Sequence, residues 1–472
     1  MTADTLHKSN GITFPLISIL AAALIFHLNL NSRYFGYSIL TLSGLFAIRE
    51  IVNSVRNPSS SAIANGNVWV LASLILIFLI SPVVRNLSNA QLPLVFARRD
   101  TETYINQVNS LASIAILSTI LGSRILFQIR PKNGQERERN TLQNLRPSVG
   151  VSVALFIFWM ALYFYWAISQ GNPFAAIFGS RNFQRSIGVI KSNGYLVDSL
   201  YGAFGVITAW LAYSIRENKN HLTKKLLPIC LLFVVPSFLQ GDRSKSVFFI
   251  VVISIILTGW NKKVKKSYVL IALILIPLII VAPRVYRQSQ DQINKIGTAA
   301  FSITNIVDTF TQEDTAMAPT LAILLSDLGS NIPLQYGKSY LNLVAKPIPR
   351  TLWPGKPVEF DTQIMRILFP KYAASGVGFA FSAISEPLVN FGLIGVVLFF
   401  IGIGILNRFN LERLIKGHSS ASVFLNAWLA GFMFVLIRGN LSVDFQRAVL
   451  PLVSGLVVLY FGDARREKAH WI

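Results

Sequence analysis

Pro347-Ile348-Pro349-Arg350-Thr351-Leu352-Trp353-Pro354-Gly355-Lys356-Pro357 sits inside a mixed segment, Pro283 to Ser385, that interrupts an otherwise apolar chain. Its four prolines each lack a backbone donor, which excludes regular helix or central strand and predicts a rigid turn. The wider segment carries Arg284, Arg287, Asp291, Glu313, Asp314, Asp327, Glu359, Asp361 and Arg366. Long loops that persist are functional or disordered, and the aromatic and aliphatic content here argues for order. The segment reads as an ordered extramembrane cap over a membrane-embedded site.

The rest of the chain fits that reading. Of 472 residues, 53% are hydrophobic and 14% charged. Repeated apolar stretches of about 20 residues mark an all-α polytopic integral membrane protein. Twelve spans are expected, at 12–30, 34–52, 67–84, 109–129, 148–169, 195–215, 226–240, 246–260, 268–283, 386–406, 422–437 and 445–461. Pro228 and Pro236 make the seventh short and kinked. The first, Ile12 to Leu30, is long for a signal-peptide core and lacks a small-residue cleavage site, so it is read as a retained span. The chain then divides into spans 1–9 with short loops (1–283), a large extracytoplasmic loop holding short helices (284–385), and spans 10–12 with a tail (386–472).

The formal charge of +22 needs no nucleic-acid partner, because lysine and arginine in short cytoplasmic loops set topology. Lys262-Lys263-Val264-Lys265-Lys266 is the densest short cluster. Placed inside, it puts Arg216–Lys225, Arg130–Arg146, Arg408–Lys416 and the tail Arg465–Lys468 on the same side. Both termini are then cytoplasmic and the long loop is outside. The lone Cys230 lies in an apolar run and offers neither a disulfide nor a thiolate cluster. All histidines but His27 fall inside (His7, His221, His418, His470), which leaves an outer general base to a carboxylate. No glycine-rich phosphate loop, nucleotide fingerprint or metalloprotease pair is present, and the inner loops are too short for a nucleotide-sugar enzyme. No cofactor or metal is expected.

Outer loops should be poor in arginine, yet Arg181, Arg185, Arg243, Arg284, Arg287, Arg350 and Arg438 all fall there. Snorkelling to headgroups accounts for arginine at helix ends. It accounts badly for Gly241-Asp-Arg-Ser-Lys-Ser246, a short turn wedged between apolar runs. Convergent arginines suggest a phosphate or carboxylate ligand held at the membrane surface. Arg181 and Arg185 share one helical face if their segment is helical. Residues Thr315–Leu328 are too short to span, and lie in the interface or dip into a cavity. Trp353 is an interfacial anchor or a platform for a sugar ring. Glu359 and Asp361 hold a divalent ion or form a solvated polar turn. Ser375–Ser382 reads as a flexible approach to Glu386, which stands at a helix mouth before Pro387. Glu386 is either a partner for that helix dipole or a general base that positions an acceptor.

The twelve-span plan, the outer loop with Pro349-Arg350-Thr-Leu-Trp353-Pro-Gly-Lys-Pro357, the Glu386…Asn390-Phe391-Gly392 signature and Arg438-Gly439 resemble the Wzy-type oligosaccharide repeat-unit polymerases of O-antigen and capsule assembly. The resemblance implies a GT-C-like membrane glycosyltransferase. Such an enzyme moves a growing glycan from undecaprenyl pyrophosphate to a lipid-linked repeat unit at the outer face of the cytoplasmic (inner) membrane. It also implies a lipid-linked donor and acceptor, membrane lipids, and a chain-length regulator and flippase as partners. In that family, activity is tied to arginines of the third and fifth outer loops, here Arg181 and Arg185, and Arg284, Arg287 and Arg350. The related O-antigen ligases carry an outer-loop histidine that this chain lacks. A ligase-like transferase and a lipid-linked-oligosaccharide flippase remain the alternatives. Taken together, the candidate catalytic residues are Glu386, Arg243 and Arg284. The candidate substrate-binding residues are Arg181, Arg185, Arg287, Arg350, Trp353, Asp361 and Arg438.

Overall fold

The computed structural model describes residues 3–28, 33–56, 64–87, 96, 103–129, 146–179, 194–240, 243–258, 317–345, 353–375, 378–417 and 419–469. Among these residues every regular element is a helix. The first group is α1 (Ala3–Leu28), α2 (Arg33–Arg56), α3 (Gly66–Ile75), a π turn (Leu76–Ile80), α4 (Ser81–Leu87) and α5 (Ile105–Ile129). Next come α6 (Val149–Ser169), α7 (Pro173–Phe178), α8 (Gly194–Arg216), α9 (Asn220–Leu232), α10 (Val234–Leu239) and α11 (Arg243–Thr258). The last group is α12 (Met317–Asp327), α13 (Lys338–Ala345), α14 (Phe360–Leu368), α15 (Pro370–Ala374), α16 (Ser385–Gly417), α17 (Ser420–Arg438) and α18 (Leu441–Ala469).

This is a membrane protein. Among the described residues, seven helical stretches are long and apolar enough to cross a bilayer: Phe35–Arg56, Gly66–Leu87, Ile105–Ile125, Val149–Ser169, Asn220–Leu239, Ser385–Ile415 and Ser420–Arg438. Each stretch expected to span coincides with a helix except 268–283, which lies outside the described residues. Thr13–Leu28, Lys245–Thr258 and Arg447–Phe461 are apolar but shorter. The seventh expected span begins earlier than the sequence suggests, at Asn220, and breaks at Phe233 between α9 and α10. Pro228 is accommodated inside α9.

Two helices organise the packing. The first, α5, is wrapped by α1, α2, α3 and α16. Its buried face carries Asn106, Asn109, Ser110, Ser113, Ser118 and Thr119. Ser110, Ser113 and Thr119 return their hydroxyls to carbonyls four residues back, each at 2.8 Å, so they add no unmet donor to the core. Glycine does the rest: a Cβ on Gly122 would strike the Ile401 carbonyl and one on Gly404 the Thr119 carbonyl. Backbones meet that closely only where side chains are absent. The second organiser, α8, packs on α6, α9, α17 and α18. It contributes Tyr201 and Phe204 to an aromatic box with Phe248, Phe249 and Trp428, and Trp428 donates its indole N–H to Thr208 Oγ1 at 3.0 Å.

Two expectations for the cap meet the structure differently. Of the two readings for residues 315–328, the buried one is nearer: Met317 through Leu325 are buried as α12, packed on α5 and the π turn. The flexible approach expected at 375–382 is corrected over its described residues 378–382. Phe379 and Phe381 are buried, Phe379 against Phe96 and Phe369, and Phe381 against Phe360.

Candidate active site

Helix α16 is broken near its start. Phe391 (φ −137°, ψ 17°) and Gly392 (φ 61°, ψ −151°) leave helical geometry, so Ser385–Asn390 forms a separate short turn. Gly392 occupies a region of backbone space open essentially to glycine alone. A Cβ on Gly395 would strike the Pro387 carbonyl, so that glycine lets the two halves of the helix close on each other. The break frees carbonyls that the helix would otherwise use, and two of them find donors in another segment. Gln335 N–H donates to the Val389 carbonyl at 2.9 Å and Tyr336 N–H to the Asn390 carbonyl at 3.0 Å. The docked segment is itself turned sharply, with positive φ at Tyr336 (48°) and Gly337 (88°). Irregular backbone at membrane depth is tolerated only where protein or a cavity satisfies it.

Glu386 projects from that short turn and is 1% exposed. Its Oε1 accepts the Ser339 hydroxyl at 2.7 Å, and its Oε2 accepts the Ser442 backbone N–H at 3.1 Å. Ser339 in turn accepts Asn390 Nδ2 at 2.7 Å, while Asn390 Oδ1 accepts Gly337 N–H at 2.9 Å. Glu386 therefore sits at the N-terminus of α18, where free N–H groups and the helix dipole favour an anion. Glu386 also stands in the first turn of its own helix, but the carboxylate's bonds to Ser339 and Ser442 reach other segments, α13 and the start of α18. Contacts close into a ring. Asn342, one turn beyond Ser339, donates to the Val358 carbonyl at 3.0 Å. Asp361, in the first turn of α14, accepts Asn440 Nδ2, and Asn440 is followed two residues on by Ser442. Beside the ring, Tyr340 stacks on Phe391 at 6.3 Å. Burial first, and then the adjacent Glu386, push its phenol well above the usual range.

A chain of charges leads away from the same turn of α18. Asp444 accepts Arg447; Arg447 Nε lies 3.9 Å from Asp198 Oδ1, and Lys245 Nζ lies 3.7 Å from the same oxygen. Lys245, Asp198 and Asp444 are at most 5% exposed. Gly439 makes room for this: a Cβ there would overlap Asp444 Oδ2. Charged groups buried in a membrane protein are costly, and mark function by default.

Several candidate residues take definite places. Glu386 and Asp361 share the ring, and Asp361 is tied to Asn440 instead of forming a solvated turn. Among the described residues no group of three or more His, Cys, Asp or Glu could hold a metal ion. Trp353 is 40% exposed and closes a Pro-Gly turn through Lys356 N–H to its carbonyl at 3.0 Å. Arg438 ends α17 directly before Gly439. Arg243 opens α11, so residues 243–246 of the expected turn are a helix start. The Arg243 side chain lies outside the described residues, as do Arg181, Arg185, Arg284, Arg287 and Arg350. Sequence reasoning missed Asp198, Ser339, Ser442, Asp444 and Arg447. The available signal was a charge at the edge of an apolar run, as at Asp198, Asp444 and Arg447; the two serines gave none.

A family model for the O-antigen polysaccharide polymerase Wzy matches residues 12–464. No curated protein and no solved structure is detectably similar to the chain.

Proposed function

The chain belongs to the O-antigen polysaccharide polymerase Wzy family, and from that premise we propose that it transfers a growing glycan from undecaprenyl pyrophosphate to a lipid-linked repeat unit at the outer face of the cytoplasmic membrane. The supporting observation is that one end of the bundle gathers the chemistry. Lys245, two residues from Arg243, connects through Asp198, Arg447 and Asp444 to the helix turn whose Ser442 N–H holds Glu386. The turn that carries Arg243 and the carboxylate at Glu386 therefore belong to one region.

In this proposal an acceptor hydroxyl attacks the anomeric carbon of the donor glycan. The bond from that carbon to the pyrophosphate oxygen breaks, and the leaving oxygen keeps the electron pair. Arg243 and Arg284 stabilise the developing negative charge, a task fixed guanidinium groups perform without a metal. Arg181, Arg185, Arg287 and Arg350 hold the lipid-linked substrates, and Trp353, Asp361 and Arg438 line the approach. Glu386 orients the hydroxyl and takes its proton. Because the carboxylate is 1% exposed, the 335–345 segment must shift to admit an acceptor. Residues 284–385 then act as a periplasmic lid, both termini are cytoplasmic, and a flippase and a chain-length regulator work beside the enzyme.

The test is reconstitution with a lipid-linked repeat unit and a chain-length ladder as readout. Glu386→Gln slows polymerisation by at least about 100-fold, the lower range for loss of a general base. Arg243→Ala leaves single repeat units. Near wild-type ladders from Glu386→Gln would reduce Glu386 to a structural carboxylate.

A further inference from the structure

Among the described residues, Ser382 Oγ, Ser385 Oγ, Asn342 Oδ1 and Asn440 Oδ1 around the ring are buried without a hydrogen-bond partner. Ser385 and Asn440 are 0% exposed, Ser382 1% and Asn342 5%. Buried polar groups are bonded as a rule, and a bare one is costly, so such a concentration calls for a cause. The orientation of the two amides is fixed by chemistry. Asn440 Nδ2 faces the Asp361 carboxylate and Asn342 Nδ2 faces the Val358 carbonyl. Both positions demand a donor, so the bare atom of each amide is an acceptor.

Among the described residues, the ring therefore offers two amide oxygens, two hydroxyls and the carboxylates of Glu386 and Asp361, and none of these groups is basic. An acceptor-rich, acidic lining disfavours a pyrophosphate and suits a neutral ligand that brings several O–H donors. A sugar ring is such a ligand. Resting on the polymerase reading above, we propose that this ring is the subsite for the acceptor sugar. Asn342 and Asn440 accept its hydroxyls, Ser382 and Ser385 exchange hydrogen bonds with it, and the donor pyrophosphate sits apart on the side of Arg243.

The bare hydroxyls make a clean test, because removing a group without partners does not weaken the folded protein. The full-length protein in nanodiscs is titrated calorimetrically with the repeat-unit oligosaccharide freed from its lipid by mild acid, and separately with inorganic pyrophosphate. The Ser382→Ala/Ser385→Ala protein should bind the oligosaccharide at least tenfold more weakly, with unchanged pyrophosphate affinity and an equal or higher Tm. Unchanged oligosaccharide affinity overturns the proposal and leaves the hydroxyls holding water only. So does a loss of pyrophosphate binding instead, or a wild type that ignores millimolar oligosaccharide. If the double variant polymerises like the wild type at limiting acceptor, the subsite fails while the polymerase reading stands. If the wild type makes no polymer from lipid-linked repeats, that reading fails by itself.

Discussion

At the residue scale, two glycines carry conformations that other residues cannot supply. Gly392, at φ 61° and ψ −151°, lies where a side chain costs about 1–3 kcal/mol. Gly392→Ala should therefore lower the Tm, and its ladder should shorten because Glu386 and Asn390 stand on the turn that the break releases. A Tm equal to wild type would show that the break is not held there. Gly439→Ala is the sharper case, since the added methyl would overlap Asp444 Oδ2. Displacing Asp444 releases Arg447 and the α18 turn that donates to Glu386. The expected result is loss of polymer at normal expression, read by the same ladder. Partial recovery of Tm by Gly439→Ala/Asp444→Ala, which removes the overlapping oxygen, would locate the fault in that contact. The sequence marked Glu386 and the Asn390-Phe391-Gly392 run. It did not reveal the broken helix, because a single glycine in an apolar run reads as ordinary helix.

At the scale of elements, the unforeseen part is the set of partners. Glu386 is held by Ser339 and Ser442, 47 and 56 residues away. Periodicity located the last helix, near whose start Ser442 lies, but not the short helix that holds Ser339, and pairing across such distances is a product of packing, which local pattern does not encode. The Lys245–Asp198 pair shows the same limit. Lys245 was visible beside Arg243, while Asp198 was hidden in the first turn of α8. Its energetic role can be measured. Removing one partner of a buried pair strands a charge and typically costs about 3–5 kcal/mol, whereas replacing both by apolar residues is often neutral. Asp198→Leu should depress the Tm strongly, and Asp198→Leu/Lys245→Met should recover most of it, with Arg447 still paired to Asp444. A double variant no more stable than the single one would mean that the two are not a coupled pair.

At the scale of the molecule, the polar groups of α16 fall at two ends. Glu386 starts the helix, while Asn407, near its other end, donates to Asn67 Oδ1 at 3.1 Å, and Arg408 lines a cavity of about 80 Å³ with Glu50, Asn65 and Asn67. At roughly 1.5 Å per residue these ends are about 30 Å apart, the thickness of a bilayer's apolar core. Helix polarity agrees with this: Asn67 begins α3 where α16 is ending, and Asp198, Lys245 and Ser442 begin α8, α11 and α18 where α16 begins. Under the proposed topology, with the basic clusters inside, the Glu386 end faces outside. Cysteine labelling of intact cells tests that assignment. Native Cys230 is 0% exposed and should stay silent. Lys356→Cys should react with a membrane-impermeant maleimide in intact cells, and Arg413→Cys only after permeabilisation. The reverse pattern would put the ring on the cytoplasmic side, where lipid-linked repeats are built instead of joined, and the polymerase mechanism proposed for Glu386 would fall with it.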